Sequence, residues 1–214
     1  MNNFIDLKWN KLLRRARLFT LVPFVEIVFV AGSMAMGAVS ENSDFDLIVG
    51  VKNGRIFTAR FFCFIFFGIL GWRRKRGAEG RDVKDKFCFS HFVTHEKYTL
   101  SAPYDKYCQK LFASLVPIYG NEEKIQRFYD ANAVWMEKKR AYKKDIKHVY
   151  EKAGWFKIFA ENILGDKLGD ILEGCFRSMQ IKKIEKSLKN EKKYRPRVIF
   201  NDSELEFHPC CKDA

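Results

Sequence analysis

The chain has 214 residues, of which 47% are hydrophobic and 30% charged, and this balance excludes an intrinsically disordered protein. Its formal net charge of +13 favours a polyanionic partner such as nucleic acid or a nucleotide, although a generally basic surface that serves solubility is an equal alternative. The six cysteines form no CxxC pair, and no secretory signal is evident. We therefore expect a reducing, cytoplasmic setting.

The first hundred residues carry alternating helix and strand patterns that are typical of a small α/β or α+β sheet domain. In chain order they predict a helix, two strands, a long buried helix and a third strand, at 9–21, 24–31, 44–51, 55–72 and 87–94. A turn-rich stretch joins the first two strands.

The most apolar segment of the chain, 61–72, is well short of the roughly 20 residues that span a bilayer. A core helix is favoured over an interfacial anchor helped by the basic cluster at 73–76. We therefore expect no membrane partner.

The second half of the chain has a different character. Helical spacing at 104–115, 122–150 and 158–188 predicts a mostly helical domain, and Pro117 and Gly120 separate the first two of these segments. The tail predicts two short extended pieces joined by a turn. We place a soft boundary near Leu100, which divides the chain into a sheet domain at 1–100 and a mostly helical domain at 101–214.

The stretch GSMAMGAVSENSDFD at 32–46 ends in two aspartates, Asp44 and Asp46. Residues two apart on a strand point to the same face, so the two carboxylates converge while Phe45 and Leu47 face the core. Two carboxylates that close repel each other unless a cation lies between them. Mg²⁺ prefers oxygen ligands and is commonly coordinated by protein carboxylates and substrate phosphates together, so the pair predicts a metal site for Mg²⁺ or Mn²⁺. Two surface aspartates in a metal-free loop are the bland alternative.

Gly32 and Ser33 follow the preceding strand. A glycine there lets the backbone approach a phosphate closely, and a serine hydroxyl with neighbouring N–H groups can bind phosphate oxygens. A short helix within 34–39 would add a favourable dipole, and Ser43 belongs to the turn that leads into the aspartate strand. A phosphate cradle beside a metal pair predicts a site for a nucleoside triphosphate with its cation.

These residues, Gly32-Ser33, Gly37 and Ser43-Asp44-Phe45-Asp46-Leu47, resemble the signature of the polymerase-β-type nucleotidyltransferase superfamily. The wider chain is similar to a group of bacterial proteins that carry such a domain, through segments that include DKFCFSHFVT and LVPIYG. The resemblance implies the fold and Mg²⁺-dependent transfer of a nucleotidyl group. It implies no particular acceptor.

The resemblance also implies a third carboxylate on the strand beside the aspartate pair. That strand should be FCFSHFVT, which contains no acid, with Cys88 and Ser90 on one face and Phe89 and His91 on the other. Asp85, just upstream, is the predicted third carboxylate and general base, provided that the strand begins a little earlier. His91 is a conceivable base, although a lone strand histidine is more often a hydrogen-bonded core residue.

Other contacts to a nucleotide or an acceptor stay open on sequence alone. Basic candidates for the triphosphate are Lys52, Arg55, Arg60, the cluster at 73–76, Arg81 and Lys84; polar and aromatic candidates are Tyr104, Gln109, Tyr119, Asn132 and Trp135. Each basic residue is equally a solvated charge, and helix packing is the favoured alternative for each polar or aromatic one. The sequence assigns no role to His208, Cys210 and Cys211.

The leading hypothesis is a nucleotidyltransferase that moves a nucleoside monophosphate from a triphosphate to a hydroxyl. The acceptor is a small molecule, a protein side chain or an RNA, and the +13 charge suits RNA. One alternative is a nucleotide- or RNA-binding protein that has lost the third carboxylate. Another is a protein-modifying antitoxin of a toxin–antitoxin pair.

Overall fold

A computed structural model describes residues 3–75, 77–78, 80–102, 104–136, 150, 152–189 and 197–208. Six strands form one mixed sheet: β1 (Val25–Val30), β2 (Phe45–Val51), β3 (Phe87–Thr94), β4 (Val116–Tyr119), β5 (Arg197–Phe200) and β6 (Glu204–His208). Their order across the sheet is β4-β1-β2-β3-β6-β5. The described helices are α1 (Asn3–Ala16), α2 (Gly32–Met36), α3 (Ile56–Ile69), α4 (Lys106–Ser114), α5 (Glu122–Asn132), α6 (Trp155–Ile163) and α7 (Lys167–Lys189). The predicted mixed α/β class is confirmed.

The centre of the sheet is made by β1, β2 and β3. β1 pairs antiparallel with β2, and β2 pairs parallel with β3. Three further strands come from beyond residue 100, because β4 pairs with β1 and the β5–β6 hairpin pairs with β3. One sheet therefore extends across the predicted boundary near Leu100, and the division of the chain into two domains stays a prediction.

Each face of the sheet carries its own apolar core. On one face, Phe19 from the 3₁₀ helix after α1 packs on Phe67 of α3, with ring centroids 4.8 Å apart, and Phe67 packs on Phe87 of β3 at 4.9 Å. On the other face, Phe29 of β1 packs on Phe128 of α5 at 4.6 Å. Aromatic packing thus holds helices on both faces of the sheet.

The apolar segment around α3 is used mainly for packing inside the protein. Cys63 and Phe67 are fully buried, and Phe61 stacks on Phe176 of α7 at 4.1 Å. Ile69, near its end, is 79% exposed. Among the helices that the structure describes, none combines the length and the hydropathy needed to cross a bilayer.

Several elements in the second half differ from the sequence-based expectation. Val116–Tyr119 forms an edge strand around Pro117, where the pattern predicted only a break. The predicted helix at 158–188 is two helices, because α6 ends at Ile163 and α7 begins at Lys167. The predicted helix at 122–150 is confirmed only to Asn132, because 133–136 are not helical and Tyr150 forms a β-bridge with Tyr119; 137–149 lie outside the described residues.

Candidate functional site

Asp44 and Asp46 lie where β2 begins. Asp44 directly precedes the strand, and Asp46 is its second residue. Phe45 and Leu47 are buried in the core on the α3 side, so Asp46 projects to the opposite face, as the alternation predicts. The structure brings together carboxylate oxygens of Asp44 and Asp46 and Cys88 Sγ, all within 4.8 Å of one another. The predicted convergence of the two carboxylates is thus present in the fold.

Gly32 forms the wall of the site next to Asp46. The register of β1 against β2 brings the chains together here, and the Ala31 amide donates to the Asp46 carbonyl at 2.9 Å. A Cβ atom added to Gly32 would lie 2.2 Å from Asp46 Oδ2, well inside van der Waals contact. Gly32 also has a φ of +62°, which favours glycine. Its lack of a side chain is therefore what lets the Asp46 carboxylate occupy this place.

The charge on Asp46 is disfavoured in the protein without a cation. Burial, and then the neighbouring charge of Asp44, raise the pKa of Asp46 from 3.8 to about 7. A hydrogen bond from the Cys88 thiol and the charge of Arg74 act in the opposite direction and only partly offset this rise. A cation bound between the carboxylates would remove the cause of the shift.

Arg74 partly neutralises the pair. Its Nη1 lies 2.6 Å from Asp44 Oδ2, and the two side chains are 36% and 13% exposed. The backbone of Arg74 is tied to β3, because its amide donates to the Phe87 carbonyl. The fold thus places Arg74, from the basic cluster at 73–76, at the aspartate pair. The sequence alone did not distinguish Arg74 from its neighbours in that cluster.

Cys88 occupies the position where the resemblance implies a third carboxylate. In the parallel β2–β3 ladder it stands directly opposite Asp46. β3 carries one more residue than β2 between this pair and the pairing of Ile48 with His91. This bulge puts His91 on the same face as Cys88, so the predicted placement of His91 on the other face is wrong.

Asp85 does not reach the aspartate pair. β3 begins at Phe87, and Asp85 lies before it, where its amide donates to the Ser43 carbonyl. Its carboxylate is buried and forms ion pairs with Lys8 and Lys11 of α1, at 3.2 and 2.5 Å. The expected position beside Asp46 is therefore wrong: Asp85 joins α1 to the loop before β3, and Cys88 lies beside Asp46.

The residues of the predicted phosphate cradle are divided between α2 and the turn before β2. α2 begins at Gly32, so Ser33 directly follows Gly32 in the first turn of the helix and is half-buried. Ser43 Oγ accepts from the Ser40 amide at 2.9 Å and so closes the turn before β2. Gly32 thus lines the site beside Asp46, whereas the Ser43 hydroxyl is engaged within its own turn.

Two of the predicted basic candidates bind other parts of the protein. Arg55 pairs with Asp170 at 2.7 Å and donates to the Leu164 carbonyl, so it holds the connection between α6 and α7. Arg60 is half-buried against the Phe64 ring and donates to Gln180 at 2.6 Å, and desolvation lowers its pKa to about 10. These contacts indicate structural roles for both arginines.

The remaining basic candidates lie at the periphery. Lys52 follows the far end of β2 from the aspartate pair, and Lys84 pairs with the exposed Glu41 at 2.5 Å. Arg81 is exposed on a 3₁₀ turn.

The polar and aromatic candidates pack among themselves. Tyr104 stacks on Trp135 at 4.6 Å, and Gln109 donates to the Tyr104 carbonyl. Asn132 is buried and accepts from the Leu100 amide and from the Trp135 indole. Tyr119 OH accepts from the buried Lys157 at 2.9 Å. Helix and loop packing is the role that these contacts support.

A second titratable group, His91, Glu204 and Glu206, lies on the same face of the sheet. His91 Nε2 is 3.0 Å from Glu204 Oε1, and Glu204 also accepts from the Ser101 amide and hydroxyl. Burial alone would raise the pKa of Glu204, but the interaction with His91, followed by the hydrogen bonds from Ser101, lowers it to about 2. His91 is therefore a hydrogen-bonded core residue that helps to fix the β5–β6 hairpin. The side chain of His208, and Cys210 and Cys211, lie outside the described residues.

Comparisons with known proteins give little further guidance. No protein-family model matches the chain, and no curated protein matches its sequence. Among solved structures, the chain is similar to a crystal structure of a toxin–antitoxin with AMP-PNP, at 18% identity and a TM-score of 0.33. That match covers 56% of this chain and 79% of the other.

Proposed function

We propose that this protein binds a nucleoside triphosphate with a divalent cation and transfers the nucleotidyl group to a hydroxyl. The observation that carries the proposal is the convergence of Asp44 and Asp46 beside Gly32, where any side chain would displace the Asp46 carboxylate. Two close carboxylates with a raised pKa on Asp46 are a costly arrangement that a bound cation relieves. The net charge of +13 agrees with an anionic ligand.

The chain's own residues have separate tasks in this scheme. Asp44 and Asp46 would hold Mg²⁺ or Mn²⁺, since hard cations take carboxylate oxygens. Gly32 and Ser33 would bind the outer phosphates through backbone N–H groups and the hydroxyl. Arg74, paired with Asp44 in the structure, is close enough to contribute positive charge to the triphosphate. When bound, such a cation neutralises the triphosphate and stabilises the leaving pyrophosphate.

In the reaction, an acceptor oxygen would form a bond to the α-phosphorus while the bond to the pyrophosphate oxygen breaks. The acceptor proton must pass to a base, and the described part of the chain offers no third carboxylate next to Asp46. This specific observation favours a second candidate function, a nucleotide-binding protein that does not transfer.

The position of a radioactive label in the nucleotide separates these functions. Purified protein would be incubated with cell extract and a triphosphate labelled at the α- or at the γ-phosphate, and RNA, protein and small-molecule fractions would then be counted. Nucleotidyl transfer predicts label in one fraction from the α-labelled nucleotide only. Protein labelling would support the antitoxin alternative, and RNA labelling would exclude it as the main activity.

The matched controls are an Asp44→Asn/Asp46→Asn variant, which should transfer nothing, and Asp82→Asn, which removes an exposed acid and should behave as the parent. Label from the γ-position would contradict the proposal. Tight nucleotide binding without any labelled fraction would favour the non-catalytic function.

A further inference from the structure

Cys88 places a sulfur atom beside the two carboxylates of the site. We propose that its sulfur is a third protein ligand of the cation held by Asp44 and Asp46, so that the site prefers a borderline-soft divalent cation of the Zn²⁺ type over Mg²⁺. This inference rests on the proposed function, because it specifies the cation of the same site. It depends on the register that sets Cys88 opposite Asp46.

The three donor atoms are close enough to share one ion. Zinc binds carboxylate oxygen at about 2.0–2.2 Å and thiolate sulfur at about 2.3 Å, so an oxygen and a sulfur ligand are about 3.6 Å apart in tetrahedral geometry. The oxygens of Asp44 and Asp46 and Cys88 Sγ lie within 4.8 Å of one another. Binding therefore needs side-chain shifts of about 1 Å or less, which changes in side-chain torsion can supply.

The charges of such a site also balance. Two carboxylates and a thiolate carry three negative charges, and a divalent cation with Arg74, which lies 2.6 Å from Asp44, carries three positive ones. The Cys88 thiol must lose its proton to solvent as the cation binds, because only the thiolate is a good ligand. No oxidant or reductant is involved in this step.

The ligand set decides the class of cation. Mg²⁺ demands oxygen ligands in near-octahedral geometry, so it gains nothing from a thiolate. Zn²⁺ and Co²⁺ accept mixed oxygen and sulfur ligands, and a site with three protein ligands leaves a position open. In this protein, oxygens of the triphosphate would take that position.

Cobalt makes the sulfur ligand visible. Co²⁺ replaces Zn²⁺ in tetrahedral sites, and a thiolate ligand gives an intense near-ultraviolet charge-transfer band that oxygen ligands do not give. The full-length parent protein, titrated with Co²⁺, is expected to develop this band with one equivalent. The band should disappear in Cys88→Ser and in Asp44→Asn/Asp46→Asn.

Other cysteines provide the matched controls. Cys175→Ser removes an exposed thiol on α7, and Cys210→Ser/Cys211→Ser removes the adjacent pair near the end of the chain. Both should keep the band. Cys88→Ser should lower the Zn²⁺ affinity by more than the roughly 10- to 100-fold that loss of an outer-shell partner costs. Cys88→Asp should raise the Mg²⁺ affinity, because it supplies a third oxygen ligand.

The outcomes separate this inference from the proposed function. The sulfur ligand is refuted if Co²⁺ gives no charge-transfer band or if the band survives in Cys88→Ser. The proposed function still stands in either case if the protein binds nucleotide with Mg²⁺. If the parent binds no divalent cation by calorimetry, both are refuted. Should Cys88→Ser fail to fold by circular dichroism, Cys88→Ala gives the same comparison.

Discussion

Gly32 and Asp46 share a space that only one side chain can fill. A Cβ atom on Gly32 would lie 2.2 Å from Asp46 Oδ2 and 3.0 Å from its Cγ, so the carboxylate stands where any other residue would place its side chain. Gly32 begins α2 just after β1 ends, whereas Asp46 lies on β2, and the pairing of β1 with β2 and the Ala31–Asp46 backbone hydrogen bond hold the two together. The glycine that suggested a phosphate cradle is thus also the residue that leaves room for the Asp46 carboxylate.

This relationship predicts the effect of Gly32→Ala. The added Cβ must displace the Asp46 carboxylate, so we expect cation-dependent nucleotide binding to be lost. Gly37→Ala is the matched control, because Gly37 also has a positive φ of 74° but no atom within 4 Å of an added Cβ. Both variants carry backbone strain of about 1–2 kcal/mol, which urea unfolding can measure. Equal nucleotide binding in the two variants would show that the close approach of Gly32 to Asp46 is not needed for nucleotide binding.

The raised pKa of Asp46 predicts how stability depends on pH in the cation-free protein. The unfolded chain loses the Asp46 proton near pH 3.8, whereas the folded protein keeps it to about pH 7. The free energy of unfolding should therefore fall, relative to Asp46→Asn, as the pH rises from about 4 to 7. The upper bound of this fall is about 4 kcal/mol, at about 1.4 kcal/mol per pKa unit.

Urea unfolding of the parent and of Asp46→Asn in a chelator, at several pH values, measures this difference. In an Asp44→Asn background the fall should be smaller, because the repulsion from Asp44 is gone. A difference that is constant between pH 4 and 7 would mean that Asp46 titrates normally.

The sequence predicted the centre of this fold well and its connections poorly. The patterns around Asp46 and Phe89 predicted β2 and β3 to within one residue at each end, since apolar runs bounded by turn residues are strong local signals. β4 was not predicted because it contains Pro117. A proline is tolerated on an edge strand, but in the sequence a short segment around a proline looks the same as a loop.

The site was predictable only where its signal is local. Gly32, Asp44 and Asp46 lie within fifteen residues of one another and share one motif. The bulge that turns His91 toward the Cys88 face, and the lysines that hold Asp85, depend on pairing between distant segments. The sequence shows no sign of those contacts, so Asp85 was expected at the wrong position.

The ion pairs of Asp85 predict a role in stability. Asp85→Asn leaves Lys8, which is 4% exposed, without its carboxylate partner, and breaking a buried pair on one side typically costs about 3–5 kcal/mol. Glu41→Gln, in the exposed pair with Lys84, should leave stability almost unchanged, because solvent screens an exposed pair. Thermal unfolding measures both.

Nucleotide binding by the folded fraction of Asp85→Asn should equal that of the parent, and so should transfer if the parent transfers. Full stability combined with a loss of transfer of 100-fold or more would instead restore Asp85 as a general base.

The central claim is that Asp44 and Asp46 bind a nucleotide through a shared cation, and calorimetry tests it most directly. The parent and Asp44→Asn/Asp46→Asn would be titrated with a nucleoside triphosphate in a chelator and then with Mg²⁺, Mn²⁺ or Zn²⁺ in turn. We predict that the parent binds the nucleotide only with a divalent cation, and that the folded double variant binds it with none. An unchanged affinity in the double variant with cation present would contradict the account.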